Sequence, residues 1–138
     1  MKRALVLVLI PFLLAILSCG REQQLVSISI QPTIETFGDV NTPVPANRGS
    51  TVQLKALGSY IHPPVTKDIT SEVTWASNTP AVATVTPAGA LIATGDACGD
   101  SIVSATVQTN HSIGNLSSSG AIVTASMRAT VVCFNPSN

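Results

Sequence analysis

The chain is 138 residues long, and its seven Lys and Arg balance seven Asp and Glu, with 10% of the residues charged. Such a chain offers no basic footprint for nucleic acid. Aromatic residues make up 4%, too few for a stacking surface that holds sugars or single strands.

The first segment carries an address. Lys2 and Arg3 precede a stretch from Ala4 to Leu17 without a polar residue, and Ser18-Cys19-Gly20 follows at once. A basic start, an apolar run and an exit of small residues are the three parts of a secretory signal. A membrane-spanning helix needs about 20 apolar residues. The run is shorter than that, and Pro11 interrupts it, so the competing reading as an uncleaved anchor is the weaker one. Ile16-Leu17-Ser18-Cys19 resembles the lipobox of bacterial lipoproteins, although Leu17 is bulkier than the residue preferred there. The resemblance implies cleavage after residue 18, a diacylglyceryl group on the Cys19 sulfur and usually a further acyl chain, such as palmitate, on its new amino terminus. A single acyl chain anchors a protein only marginally, whereas two or more hold it stably. The plainer alternative for Cys19 is an ordinary cysteine near a general signal-peptidase site. Gly20 in place of Asp resembles the outer-membrane sorting choice of enteric bacteria. The expected address is therefore the cell membrane or the outer membrane, lipid-anchored, facing the periplasm or the surface.

Removal of residues 1–18 takes away Lys2 and Arg3 and leaves five basic against seven acidic residues. The roughly 120 residues that remain suffice for one domain and not two. Residues 19–24 form a lipidated tether, 25–133 the domain and 134–138 a C-terminal tail. Within the domain, Leu25 to Ile30 alternates, which predicts a strand with Val26, Ile28 and Ile30 on one face. Pro32 to Arg48 is rich in Pro, Asn and Gly and predicts an irregular edge segment. Thr51 to Leu57 predicts a strand with Val52, Leu54 and Ala56 inward, and Gly58 to Lys67, with Pro63-Pro64, predicts a loop.

Val73 to Ser77 forms the next predicted strand, with Val73 and Trp75 pointing the same way. Two short strands, Val82 to Thr86 and Ala90 to Thr94, flank the turn Pro87-Ala88-Gly89. Ser101 to Thr109 turns Val103, Ala105 and Val107 inward. After a Ser- and Gly-rich loop from Asn110 to Gly120, a long strand from Ala121 to Cys133 puts Val123, Ala125, Met127, Ala129 and Val131 on one face. Helical periodicity is absent from the mature chain. Several short strands with regular turn signals predict an all-β sandwich or barrel.

Trp75-Ala76-Ser77-Asn78-Thr79-Pro80-Ala81-Val82-Ala83-Thr84-Val85 resembles the core signature of bacterial Ig-like domains of group 2, in which a Trp, a Ser, a Pro and Val-Ala-Thr-Val recur at this spacing. Gly89 to Ala93, Gly99 to Ala105 and Val26-Ser27-Ile28 follow the same pattern. The resemblance covers residues 25–133 and departs from the family in the Pro-rich early segment, the cysteines and the lengthened 110–120 loop. It implies an immunoglobulin-like β-sandwich of about seven strands. Trp75, Val82 and Val85 are the core signature. A lone Trp on a central strand can fill the middle of a small core, and a ligand-stacking platform is the sharper alternative for Trp75.

With Cys19 set aside, Cys98 and Cys133 remain as a candidate pair, the alternative being two reactive or buried thiols, and the oxidising conditions expected for an exported chain favour the pair. An antiparallel hairpin turning near Gly114 and Asn115 would bring both to one end of the sandwich. Their α-carbons would then fall within the roughly 7 Å that a disulfide needs. Closing this loop contributes about 3–4 kcal/mol in the chain-entropy account.

No phosphate loop, zinc-binding His-Glu motif or nucleophile elbow occurs in the sequence. His62 and His111 lack ligand spacing and fit solvated loops. Asp96 and Asp100 flank Cys98 and could offer oxygens to calcium, but Asp in a turn more often bonds to nearby backbone. Asn110-His111-Ser112 and Asn115-Leu116-Ser117 match the glycosylation sequon, which a bacterial lipoprotein would not ordinarily have read. The sequence thus points to a non-catalytic binding, adhesion or structural module of the cell envelope. It calls for no cofactor, and its expected partners are the membrane through Cys19 and a protein of the envelope. The alternative is a calcium-dependent or enzymatic envelope factor. Recognition is expected on the segments 110–120 and 58–67, as loops on a rigid sandwich are where recognition usually sits.

Overall fold

The computed structural model describes residues 23–113 and 116–134, with 110–113 and 116–119 described as backbone only. Two β-layers enclose one apolar core in an Ig-like β-sandwich. The strands are β1 Gln24–Gln31, β2 Ile34–Phe37, β3 Thr51–Gln53, β4 Lys55–Ile61, β5 Val65–Asp68, β6 Thr74–Ser77, β7 Ala83–Val85, β8 Ala90–Ala93, β9 Gly99–Ile113 and β10 Leu116–Val131. A single 3-10 turn lies at Val44–Asn47 among the described residues.

One layer has the order β2-β10-β9-β6. The other joins β1-β4-β5 to β3-β8-β7 through the long strand that β3 and β4 share. Only Leu54 separates β3 from β4, and its N–H donates to the Gly89 carbonyl at 2.8 Å. Alternation places Leu54 and Ala56 fully inward from this strand, opposite Val103 and Ala105 of β9 and Ala129 and Val131 of β10. Leu91 and Ala93 of β8 and Ala83 of β7 complete the contribution of the layer that contains β3 and β4.

Four details differ from the sequence expectation. Val26 is 48% exposed, and Leu25 is buried in its place. The register of β1 on β4 slips between Leu25 and Ser27, and the extra residue of such a bulge turns its side chain to the other face. The segment from Gly58 is not a loop: β4 runs on to Ile61, and β5 pairs back on it from Tyr60↔Val65 to Leu57↔Asp68. Gly58 marks tight packing, since a Cβ there would sit 2.9 Å from Ile69 Cδ1 and from Leu25 Cδ1.

The 110–120 segment is likewise paired, with β9 and β10 continuing through Asn110↔Ser119 to Ile113↔Leu116. The turn expected at Gly114 and Asn115 lies outside the described residues. Gly120 again serves close approach, because a Cβ on it would overlap the Thr109 carbonyl. Finally, the Pro-rich stretch contains β2, which pairs parallel with β10 from Ile34↔Arg128 to Phe37↔Val131.

Candidate functional site

The two ends of the sandwich differ in character. At the end where the chain enters, Gln24 pairs with Ile61, which brings the start of β1 beside the β4–β5 turn at His62–Pro64. Lys67 donates to the Gln23 side-chain carbonyl and lies over the Tyr60 ring, 5.0 Å from its centre. Burial, with Glu72 as a second cause, raises the Tyr60 hydroxyl above its ordinary pKa. His62 is an exposed turn residue with φ 65°, and the side chain of His111 lies outside the description.

At the opposite end Cys98 and Cys133 form a disulfide with α-carbons 5.9 Å apart. The last rung of the β9–β10 ladder is Val131↔Gly99, so the two cysteines stand just beyond it. Asn47, 3% exposed, donates from Nδ2 to the Val132 carbonyl at 3.3 Å and lies near the Cys133 sulfur. Asp96 pairs with Arg48, and Asp100 accepts from the Thr130 hydroxyl at 2.6 Å. Each of the two carboxylates considered for calcium therefore has a different partner. Among the described residues no three of His, Cys, Asp and Glu converge as a metal cluster would require.

Trp75 occupies a different setting from the one its sequence context suggests. Its strand, β6, is an edge and not a central strand, so the half-buried indole closes the side of the core. Its Nε1 donates to the Thr70 carbonyl at 2.9 Å. Trp75 also lines a groove of ≈ 290 Å³ with Ala76, Ser77, Pro80, Thr84 and Val85. Val82 is buried at the turn into β7, and Val85 packs partly buried against the core.

A polar cluster beside Trp75 joins the two layers. The Ser77 hydroxyl donates to the Ala83 carbonyl at 2.6 Å and lies 2.8 Å from the hydroxyl of Ser101, which is 0% exposed. Asn78 exchanges two bonds with Ile102: its N–H donates to the Ile102 carbonyl, and its Oδ1 accepts the Ile102 N–H. The same Oδ1 accepts from Ser101 at 3.2 Å. Ser77 and Asn78 belong to the sequence motif, but their link to Ser101 depends on the β6–β9 register, which spacing along the chain does not reveal.

Residues 39–114 match a family model described as bacterial Ig-like domain (group 2). This stretch exceeds half of the 138 residues. The chain belongs to the group 2 bacterial Ig-like family. The matched region begins after β2 and ends one residue past β9, so β1, β2 and β10 complete the sandwich from outside it. It contains the Trp75-to-Val85 motif in full. No match to a curated protein was found. Membership in this Ig-like family indicates a non-catalytic binding or structural module. Cys19, the expected lipidation site, lies outside the described residues.

Proposed function

We propose that this protein is an exported lipoprotein whose single group 2 Ig-like domain serves as a non-catalytic binding, adhesion or structural module in the bacterial cell envelope, held to a membrane by lipid on Cys19. The observation that carries the reading is the division of the cysteines. Cys98 and Cys133 are joined inside the fold, whereas Cys19 directly follows a basic and then apolar leader. The first strand, β1, begins at Gln24, only five residues later, so the anchor holds the domain close to the bilayer. Lipid of two or more chains would make that attachment stable.

The test is metabolic labelling of the full chain in a bacterial host with an alkyne analogue of palmitate. The wild-type chain takes up label and sediments with membranes, and its mature form begins at Cys19. Cys19→Ser loses both label and membrane attachment. Labelling that persists in Cys19→Ser, or a wild-type chain found unlabelled in the soluble fraction, overturns the proposal. Crosslinking in intact cells then identifies the envelope partner as a reproducible stoichiometric adduct.

A further inference from the structure

The path of the chain decides which end of the domain faces the anchor. Five residues from Cys19 to Gln24 span at most about 17 Å when fully extended. Gln24 sits beside Ile61, so the β4–β5 turn lies at this anchor end. The far end is fixed independently. Asn47, just before β3, bonds to Val132, just after β10, so β3–β4 starts where β10 finishes. The strand formed by β3 and β4 then runs from that end to Ile61, alongside the anchor.

The chemistry of the anchor end suits a bilayer surface. Residues 23–27 and 59–67 carry Lys67 and no Asp or Glu, although Glu22 precedes them, Asp68 follows at once, and Glu72 acts on the Tyr60 hydroxyl. Asp39, Asp96 and Asp100 lie toward the far end, near Thr42, Arg48 and Thr130. At the anchor end Val26 and Val65 are exposed, 48% and 37%, with Pro63 and Pro64 beside them, while Val40 and Phe134 are exposed at the far end. Lys67 over Tyr60 gives an amphipathic pair, with an apolar body and a polar tip of the kind that settles at a membrane–water boundary.

We infer that this end is a membrane-contact surface: the sandwich stands on the lipid headgroups through the start of β1 and the β4–β5 turn, and its disulfide end points away. The inference rests on the lipid at Cys19. It also directs protein partners toward the far end and the sides, away from the segments at the anchor end.

Depth-dependent quenching tests the orientation. With Cys19 lipidated and Cys98 bonded to Cys133, an introduced cysteine is the free thiol for a fluorophore. Pro64→Cys and Thr66→Cys report the anchor end, Ser126→Cys the outer face of the β10 sheet, and Val40→Cys the far end. The lipidated full chain is placed in vesicles of phosphatidylethanolamine and phosphatidylglycerol that contain nitroxide-headgroup lipid. The expected result is quenching at residues 64 and 66 several-fold stronger than at 126 and 40. Lys67→Glu is expected to reduce it while flotation with the vesicles persists. Chain that floats with equal quenching at all sites, or with the strongest quenching at 126 or 40, overturns the orientation alone. Chain without lipid on Cys19 by mass, and absent from the vesicles, overturns the anchor and this surface together.

Discussion

Trp75 and Thr70 hold each other across the connection between β5 and β6. The indole N–H of Trp75 donates to the Thr70 carbonyl at 2.9 Å, and the Thr70 hydroxyl accepts the Ala56 N–H at 3.0 Å. Ala56 is fully buried, so Thr70 supplies the partner for a backbone donor that water does not reach. The edge strand β6 is thereby fastened to β4 of the opposite layer.

Trp75→Phe keeps much of the packing and removes one hydrogen bond, which costs about 1 kcal/mol. Thr70→Val deprives the buried Ala56 N–H of its acceptor, at a cost of about 1–3 kcal/mol. Urea unfolding is expected to rank the two variants in that order. A Trp75→Phe loss well above that of Thr70→Val would place the role of the indole in packing and not in this bond.

The same turn carries a pH dependence. Asp68 Oδ1 accepts the Thr70 hydroxyl and, at 3.0 Å, the Thr70 N–H. The hydroxyl bond first and the backbone bond second hold the Asp68 carboxyl below its ordinary pKa. A carboxylate with a lowered folded pKa stabilises the fold above its unfolded pKa, and that contribution disappears as pH falls through the folded value. Asp68→Asn is therefore expected to unfold at lower urea than the wild-type chain at about pH 7, with the gap closing at about pH 2. A gap that is independent of pH would assign the effect to something other than this charge.

Much of the fold was legible because alternation survives wherever a strand has one buried face. The inward set on β9 and β10, from Val103 and Ala105 to Met127 and Val131, follows period two and is buried or partly buried as expected. The misplacements occurred where glycine and serine carry two meanings. Gly58 and Gly120 suggested turns, yet both occupy strands at points too crowded for a Cβ. Val26 failed because a one-residue bulge inverts the faces. Trp75 suggested a central strand, and sheet order is not written in a local motif. The links among Ser77, Asn78 and Ser101 were illegible for a related reason, as they arise only when β6 meets β9.

Joining Cys98 to Cys133 closes a loop of 35 residues, which raises the free energy of the unfolded chain by about 3–4 kcal/mol in the chain-entropy account. Replacing both with Ala is expected to lower Tm by about 10–20 °C, given the several degrees per kcal/mol typical of small domains. Cys133 packs against the core and Asn47 lies beside it, so Asn47→Ala adds a loss to the wild-type chain. In the double Ala background that additional loss shrinks, because Asn47 then secures a chain end already freed. Calorimetry of the four proteins checks the cycle, and strict additivity would show that the two features act separately.

Ser101 is fully buried, and its hydroxyl lies between Ser77 Oγ and Asn78 Oδ1. A buried hydroxyl is tolerated because its bonds are made; removing a partner is what costs. Ser101→Ala leaves Ser77 its bond to the Ala83 carbonyl and Asn78 Oδ1 its bond from the Ile102 N–H, so the loss is expected near 1 kcal/mol. Ser101→Val fills the same small space with an extra methyl beside two polar atoms and costs about 1–3 kcal/mol. Ser77→Ala removes the bridge from β6 to β7 and strips the Ala83 carbonyl of this donor. Amide exchange is expected to quicken in β6 and β7 for Ser77→Ala and in the lower rungs of β9 for Ser101→Val. The bridge from Ser77 spans the two layers, so loss of protection confined to β6 alone would show that it does not couple them.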